Sequence, residues 1–361
     1  MSRLPEPMKN IRWSLILPFA LIAVGGIAYS LWWVGVANRV EAAILKWQTD
    51  QAANGIAVSW DKLETGGYPY RIQVDVAGGR IDAPDAPRAW TWEADSLSAQ
   101  TLAYRLNHVI VDIPGAQRVH YSEPRDGSEQ RFTLNLTSDV FWASYIDESG
   151  EEQRLSADIQ NLAATRTQQT DDGPVLAGGA AAGRLQLHGR PAPEVPGTAF
   201  DIALKGQDIS WVNLGDTTWA GSNIAHLEAQ TRITDLPPGF PDALVTFLPD
   251  AATNGTKLAI SEFALEWGPI EMTGQGEVKL DSLGRPEGRF QTSVGNLDGL
   301  IDALVGADVV SQQSARLAFA GMVALSSMQG EEAGRVRLPV AMKDGVLFLG
   351  PVAAARLEPL Y

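Results

Sequence analysis

Hydrophobic and polar residues alternate with a period of two along most of the chain beyond its first sixty residues. The apolar positions include Ile72, Val74 and Val76; Phe132, Leu134 and Leu136; Leu185 and Leu187; Phe200, Ile202 and Leu204; Phe263, Leu265 and Trp267; Val278 and Leu280; and Val336, Leu338 and Val340. One apolar and one polar face per segment is typical of antiparallel sheets covered on one side. Turn sequences rich in glycine, asparagine and aspartate separate the segments. The pattern predicts a mainly β (α+β) fold of curved antiparallel sheets with a few packing helices.

The residues that follow position 38 have a helical period instead. The apolar side chains recur at i, i+3, i+4 and i+7, at Val40, Ala43, Ile44 and Trp47. This spacing predicts a short amphipathic helix that ends near Asn54 and Gly55.

Two more helices are predicted in the second half. One runs from Pro241 to Leu248 and is ended by Pro249. The other is capped by Asn296, and its apolar stripe comprises Leu297, Leu300, Ile301, Leu304 and Val305. A further helical stretch is predicted from Asp308 to Phe319. The sequence Gly284-Arg285-Pro286 predicts a turn that pairs Val278–Leu280 with a strand at Arg289–Val294.

A run without any charged side chain extends from Trp13 to Asn38. A bilayer core about 30 Å thick needs roughly 20 apolar residues, so residues 13–38 are predicted to be a transmembrane anchor. Three basic residues and one acidic residue precede the run. The positive-inside rule therefore predicts a cytoplasmic tail at residues 1–12 and the bulk of the chain, residues 39–361, on the far side of the membrane.

A cleaved signal peptide is the alternative, with Gly35 and Ala37 as the small residues before the cut. The apolar region of a signal peptide is typically about 7–15 residues long. The longer run here favours an uncleaved anchor.

The segment from Gly189 to Gly197 contains three prolines and is the best candidate for a boundary. It divides the exported part into a first β-rich half at residues 39–190 and a second β-rich half with helices at residues 197–361.

Charge and cysteine content narrow the possible functions. The chain has 28 basic and 43 acidic residues, and no cysteine. An acidic surface repels phosphate backbones, so no nucleic-acid partner is expected. Without cysteine the chain has no disulfide, no thiolate nucleophile and no cysteine-based metal site.

No motif in the sequence predicts catalysis. Ser59 and Lys62 match an S-x-x-K pattern, but the companion elements of that mechanism are missing, and a strand edge with a surface lysine is the better interpretation. The four histidines, His108, His120, His188 and His226, are too far apart in sequence for zinc ligand spacing. We therefore expect a protein that is not an enzyme, with no catalytic residue, no metal and no cofactor.

The aromatic and apolar side chains are the remaining candidates for a site. Aromatic residues on strand faces are usually core residues, but an acyl-chain groove would give the same sequence pattern. The helix with the Leu297 stripe must bury that stripe against the sheet or against a ligand. The predicted ligand-binding residues are Leu300, Ile301, Leu304 and Trp267.

Several segments together resemble a known family. They are Gly66-Gly67-Tyr68-Pro69-Tyr70-Arg71, the stretch from Gly276 to Asp281 with Gly284-Arg285-Pro286-Glu287-Gly288, and the end from Asp344 to Pro351 with Leu357 to Tyr361. The chain resembles an uncharacterised alphaproteobacterial envelope family, a domain of unknown function (2125). Together with the anchor and its charged flanks, this resemblance to envelope proteins predicts a single-pass protein of the bacterial inner membrane whose bulk is periplasmic. It identifies no catalytic residues.

The anchor and the curved sheet also resemble, by architecture alone, the AsmA-like envelope proteins, which are associated with lipid movement and outer-membrane assembly. Two hypotheses follow. The first is a groove for an acyl chain or other apolar ligand that serves envelope lipid homeostasis. The second is a scaffold or assembly factor that binds other envelope proteins and no ligand. A hydrolase is a distant third.

Overall fold

The computed structural model describes residues 13–84, 89–125, 128–148, 152–192, 194, 199–212, 220–236, 247–306, 311–313, 315–316, 319–321, 335–350 and 352–360. Three helices have their bounds within these residues, α1 (Trp13–Ala53), α2 (Phe247–Asn254) and α3 (Leu297–Gly306), and further helical residues are 312–313, 315–316 and 319–321. The rest is dominated by β-strands, as the alternation of apolar and polar residues predicts.

The described part of the chain contains eighteen strands. They are β1 (Ala57–Ser59), β2 (Lys62–Gly66), β3 (Arg71–Ala83), β4 (Trp90–Leu102), β5 (Arg105–Asp112), β6 (Gly115–Arg125), β7 (Ser128–Ser138), β8 (Val140–Glu148), β9 (Glu152–Thr170), β10 (Gly173–Pro191), β11 (Ala199–Val212), β12 (Asn223–Thr234), β13 (Lys257–Trp267), β14 (Ile270–Leu280), β15 (Pro286–Gly295), β16 (Val336–Lys343), β17 (Val346–Leu349) and β18 (Val352–Arg356).

All the strand pairs are antiparallel, and the sheet is an up-and-down meander. Three pairs of short strands are successive segments of one longer strand: β1 with β2, β5 with β6, and β7 with β8. Both segments of each pair face the same neighbour, as β5 and β6 both pair with β4, and β7 and β8 both pair with β9. Each long strand therefore lies beside the strands that precede and follow it in the chain. The predicted fold class, an N-terminal apolar helix followed by antiparallel sheet with few helices, is confirmed.

The sheet continues through the predicted boundary between the two halves. Strand β10 extends to Pro191 and pairs with β9 on one side and with β11 on the other. Pro191 is the last residue of its strand, where a missing N–H does not interrupt the ladder. The division into residues 39–190 and 197–361 stays a prediction.

A line of interruptions crosses nine successive long strands, from the β1–β2 strand to β12. We call this line the crease, and it passes through Asp61, Gly78, Asp95, Pro114, Asp139, Asn161, Gly183, Asp208 and Ala225, where the ladder is broken or unpaired. At Gly78, Asn161, Gly183 and Asp208 the register is the same on both sides of the crease, so the ladder is interrupted without an extra residue. At Ala225 the register shifts against β13, as in a β-bulge.

Backbone conformation explains which residues occupy the crease. Gly78, Asn161 and Asp208 have φ angles of 61°, 51° and 51°, in the left-handed region that glycine, asparagine and aspartate tolerate best. A Cβ at Gly78 would lie 2.2 Å from an Asp61 carboxylate oxygen. The Asn161 side-chain amide donates to the Asp139 carboxylate at 2.7 Å. Short polar side chains thus fill the space where the ladder opens.

Helix α1 is continuous from Trp13 to Ala53, whereas the sequence predicted an anchor that ends at residue 38 and a separate short helix. No proline or glycine lies between residues 36 and 54, so nothing interrupts the backbone hydrogen bonds until Gly55, whose φ is 79°. The covered face also differs from the prediction, because Ala43 and Trp47 are exposed while Val40 and Ile44 are half-buried.

The prediction that Pro249 ends a helix is wrong. Residues 241–246 lie outside the described residues, and α2 runs from Phe247 to Asn254 with Pro249 near its start. A proline in the first turn leaves no hydrogen bond unmade, because the first N–H groups of a helix have no partner within it. The helix ends before Gly255, whose φ is 70°.

Helix α3 forms where it was predicted. The backbone N–H of Gly299 donates to the side-chain oxygen of Asn296 at 3.3 Å, so Asn296 is the N-cap. The Asn296 amide also donates to the carbonyl oxygen of Pro269 at 2.8 Å, which ties the start of α3 to the β13–β14 turn. Of the stretch predicted from Asp308 to Phe319, the residues 312–313, 315–316 and 319 are helical, and 308–310, 314 and 317–318 lie outside the described residues.

The turn predicted from Gly284-Arg285-Pro286 is present between β14 and β15. Leu280 pairs with Pro286 and Val278 with Gly288, so β15 begins three residues earlier than predicted, with Pro286 as its first residue. The Asp281 carboxylate accepts hydrogen bonds at 2.9 Å from the backbone N–H groups of Leu283 and Arg285. It also forms an ion pair with the Arg285 guanidinium at 2.7 Å.

These contacts predict a pH-dependent contribution to stability. The hydrogen bonds from Arg285 hold the pKa of Asp281 below its usual range in the folded chain. A depressed folded-state pKa gives stability that is present above the unfolded value, about 3.9, and is lost as pH falls through the folded value. The free energy of unfolding in urea can be measured at pH 7 and below pH 4. We expect it to fall less between these two pH values in Asp281→Asn than in the native sequence. An identical pH dependence in both proteins would contradict the assignment.

Candidate functional site

Residues that pair directly in an antiparallel sheet point to the same face. The register therefore defines rows of side chains that cross the sheet. Row 1 consists of Ile72, Thr101, Val109, Tyr145, Leu155, Gly189, Ile202, Thr231, Ile260, Gly276, Phe290, Val340 and Leu349. It contains no charged residue and extends from β3 to β17.

Two further rows lie beside row 1 on the same face. Row 2 consists of Val74, Ala99, Val111, Ala143, Ala157, Leu187, Leu204, Ala229, Phe263, Gly274, Thr292 and Leu338. Row 3 consists of Phe141, Ile159, Leu185, Gly206, Leu227, Leu265, Met272, Val294 and Val336. Together the three rows make an uncharged and almost wholly apolar surface, which we call the apolar face.

The opposite face carries ion pairs between neighbouring strands. Arg184 pairs with Asp158 at 2.7 Å, and Lys205 pairs with Glu228 at 2.8 Å. The hydrogen bond from Arg184 holds the pKa of Asp158 below its usual range, so this carboxylate stays ionised. The two faces therefore differ in chemistry over the same strands.

Helices cover the two ends of the apolar face. At the β3 end, Trp33, Val36 and Ala37 of α1 form a buried cluster with Ile72 and Ala103. At the other end, α3 packs on strands β14 to β17. The buried members of that cluster are Ala220, Ile270, Val294, Leu297, Leu300, Leu304, Ala315, Val336, Leu338, Val340 and Leu349.

The middle of the apolar face is open. Leu155 and Leu187 expose 44% and 37% of their surface, although they belong to the same rows as fully buried residues at the two ends. A groove of about 840 Å³ follows row 1 across strands β8 to β13. Leu155, Ile202 and Ile260 of row 1 line it, together with residues on either side of row 1 in each strand, several of them polar or charged. A second groove of about 600 Å³ crosses β13 to β16, and Ile260 lines both. The two grooves are therefore neighbours along row 1.

The open stretch of row 1 crosses six strands. Strands spaced about 4.8 Å apart make this stretch roughly 24 Å long. Arg190, Asp201 and Arg232 also line the larger groove, but they pair with one another in the row next to row 1, so their side chains belong to the opposite face.

The four predicted ligand-binding residues come together at the α3 end. Leu300 and Leu304 are 2% and 6% exposed, and Ile301 and Trp267 are half-buried against the same cluster. The Trp267 indole N–H donates to the carbonyl oxygen of Gly221 at 2.8 Å. The lining of the two grooves includes none of these four residues. Their contacts are with the sheet, and a role in ligand binding stays a prediction.

The polar side chains considered for catalysis or metal binding make separate local contacts. Ser59 ends β1 and Lys62 begins β2, where the exposed Lys62 ammonium pairs with Glu64 at 2.7 Å, as a strand edge with a surface lysine predicts. His108 contacts the Ser144 hydroxyl at 3.0 Å and His120 contacts the Thr133 hydroxyl at 3.0 Å. In the residues described, no group of three or more metal-ligating side chains lies together.

Sequence reasoning missed the residues of the open stretch. Leu187 and Ile202 were recognised as apolar strand positions, but nothing in the local sequence distinguishes a covered row position from an open one. The distinction depends on which strands lie under α1 and α3, and that information is not local.

The fold and the apolar face define a class: one helix that is long and apolar enough to cross a membrane, joined to an antiparallel sheet with an apolar surface left partly open. The chain belongs to the family described as an uncharacterised protein conserved in bacteria (DUF2125), whose model matches residues 33–358. This confirms the family resemblance. No curated protein and no solved structure shows significant similarity to the chain.

Proposed function

We propose that this protein is anchored in the bacterial inner membrane by α1, exposes its sheet to the periplasm, and binds an acyl chain or another apolar ligand on the open part of the apolar face. In this role it serves envelope lipid homeostasis and is not an enzyme. The observation that carries the proposal is the open middle stretch, where three apolar rows continue between ends that the chain's own helices cover.

The physical reason is the cost of leaving this surface in water. Burial of apolar surface gains about 25 cal/mol per Å², and large contiguous apolar patches on soluble proteins mark interaction sites. A lipid tail carries no hydrogen-bond donor or acceptor, so it can cover the apolar rows without adding an unpaired polar group. The architectural resemblance to AsmA-like proteins points in the same direction.

Photo-crosslinking in the full-length chain tests the proposal. A benzophenone amino acid is placed at Ile202, on row 1, and in a second protein at Trp142, which is 51% exposed on the opposite face, between Asp112 and Asp158. After irradiation of cells, mass spectrometry of the labelled peptide is expected to find an added lipid at position 202 and none at position 142. Equal labelling at both positions, or none at either, would contradict the proposal.

Charged substitutions give a second measurement. Leu155→Glu combined with Leu187→Glu places carboxylates along the open stretch, where both side chains already contact solvent, so folding is expected to survive. Because burial of an unpaired charge costs well over the 1.4 kcal/mol that corresponds to a factor of ten, lipid capture at position 202 should fall more than about tenfold. Trp142→Glu is the matched control and should leave capture unchanged.

The scaffold hypothesis is favoured by a different observation. The α3 end of the apolar face is packed solid, with Leu300 and Leu304 almost fully buried, as expected for a sheet filled by its own helices. In that case the benzophenone at position 202 should capture a polypeptide and no lipid.

A further inference from the structure

The end of the sheet that lies nearest to α1 is rich in tyrosine. The β2–β3 loop at residues 66–71 contains Tyr68 and Tyr70, and the β4–β5 turn contains Tyr104. With Tyr29 of α1, four of the seven tyrosines of the chain occupy this region. Tyr70 and Tyr104 are 79% and 74% exposed.

Specific contacts attach the loop to α1. The Tyr29 hydroxyl donates to the carbonyl oxygen of Pro69, and the hydroxyls of Ser30 and Tyr68 are 2.8 Å apart. The Trp33 indole N–H donates to the carbonyl oxygen of Arg71 at 3.1 Å. The Trp33 and Tyr68 rings meet edge to face, with centroids 5.4 Å apart.

These contacts fix the depth of the loop relative to the apolar helix. Tyr29, Ser30 and Trp33 lie in the last turns of the uncharged run, and the first charged residue, Arg39, is about 14 Å further along the axis from Ser30. If a membrane surrounds the uncharged run, the loop beside these residues lies at the level of the membrane–water interface.

The residue types at this end of the sheet are those found at a membrane–water interface. Tyrosine has an apolar ring and a polar tip and is enriched at membrane interfaces. Residues 66–73 and 99–107 include two arginines, Arg71 and Arg105, and no aspartate or glutamate, in a chain whose net charge is −15. A positive, aromatic end on an otherwise acidic protein fits a surface of anionic lipid headgroups.

We infer that the tyrosine end of the sheet, residues 66–71 and 103–106, inserts into the interface of the membrane that α1 spans. The chain then contacts the bilayer at a second place, and the sheet is held at a fixed orientation rather than on a free tether. This inference relies on α1 as the anchor and holds whether or not the apolar face binds a ligand.

Depth-dependent fluorescence quenching tests the inference, and the absence of native cysteines makes site-specific labelling simple. Tyr70→Cys and Tyr104→Cys are made separately in the full-length chain and labelled with the fluorophore NBD. Each protein is reconstituted into vesicles of phosphatidylethanolamine and phosphatidylglycerol that contain nitroxide-labelled lipid. Both side chains are largely exposed, so neither substitution should disturb the core.

Val175→Cys is the matched control. Val175 is also an exposed apolar residue, but it lies near the start of β10, at the end of the strands opposite to the tyrosine end. We expect at least about a twofold loss of NBD emission at positions 70 and 104 with nitroxide near the headgroups, and little loss at position 175. Iodide in solution should quench in the opposite order.

Equal quenching at positions 70, 104 and 175 would overturn the inference, as would strong iodide quenching at positions 70 and 104. A dependence of NBD depth on phosphatidylglycerol that disappears in Arg71→Gln/Arg105→Gln would further support the charge argument. Lipid capture by the apolar face is measured separately, at position 202, so either proposal can fail without the other.

Discussion

Replacement of Leu304 by aspartate is expected to unfold the α3 end of the sheet. Leu304 is 6% exposed and belongs to the cluster that joins α3 to β14, β15, β16 and β17. A carboxylate at this position would be buried without a partner, which costs several kcal/mol, a large fraction of the 5–15 kcal/mol by which typical domains are stable. Urea unfolding of the full-length protein in detergent measures the effect.

Asp302→Ala is the control for this substitution, because Asp302 is exposed on the same helix and should change the free energy of unfolding by about 0.5 kcal/mol or less. Leu304→Ala should cost about 2–5 kcal/mol, as for other buried leucines. If Leu304→Asp unfolds at the same urea concentration as the native sequence, α3 does not pack as described.

The alanine variant also tests the predicted role of α3 in ligand binding. A fall in captured lipid per folded molecule would support contact between Leu304 and the ligand. Unchanged capture would restrict the ligand to the open stretch between β8 and β13. If Leu304→Ala is destabilised and neither this variant nor the native sequence captures lipid, the scaffold hypothesis is favoured.

A reporter enzyme joined after Tyr361 is expected to give an all-or-none result. A reporter that is active only in the periplasm should work, and one that is active only in the cytoplasm should not, because the positive-inside rule predicts that Arg3, Lys9 and Arg12 keep the N-terminus in the cytoplasm. Joining the two reporters in turn to the same full-length chain provides the control. The opposite pattern would overturn the proposed orientation.

The same experiment can be combined with intact mass to decide whether the N-terminal segment is retained. The contacts of α1 argue for retention, since Trp33, Val36 and Ala37 are buried against Ile72 and Ala103. Cleavage near Asn38 would remove those side chains and expose the β3 end of the apolar face. A mature chain that begins near Asn38 would restore the signal-peptide alternative.

Local chemistry made part of this fold predictable. Proline and glycine at residues 284–286 require a turn, and Asn296 followed by an apolar stripe requires a capped helix, because both signals depend on backbone groups within a few residues. The strand assignments were right for the same reason, since alternation between two faces repeats within each strand.

Other features could not be predicted because they depend on distant parts of the chain. The sequence contains many aspartates and asparagines, and only the pairing of neighbouring strands shows that Asn161 and Asp208 adopt a left-handed conformation. The register of each strand pair is likewise set by contacts across the sheet. Proline at residue 249 is compatible with either the end or the start of a helix, and packing selected the second.

The candidate site, too, could be predicted only in part from the sequence. The stripe of Leu300, Ile301 and Leu304 indicated that this helix must find an apolar surface, and the structure packs it on the sheet beside Trp267. The role of these four residues in ligand binding stays a prediction. Which apolar positions remain open, such as Leu155 and Leu187, depends on the reach of α1 and α3 over the sheet. That is a property of the assembled sheet and not of any segment.

The meander order of the described strands has a consequence for how the protein is made. Each long strand pairs with the strands immediately before and after it in the chain, so most of the loops that must close are short; the longer connections are those from β12 to β13 and from β15 to β16. Topologies with many local pairings fold faster than those that pair distant segments. The earliest strands already have α1 to pack against. Each new hairpin can then extend the sheet in the order of synthesis, with its apolar residues placed beside rows that are already formed. The growing edge moves along the chain from β3 towards β18, and the final helix-covered end closes last.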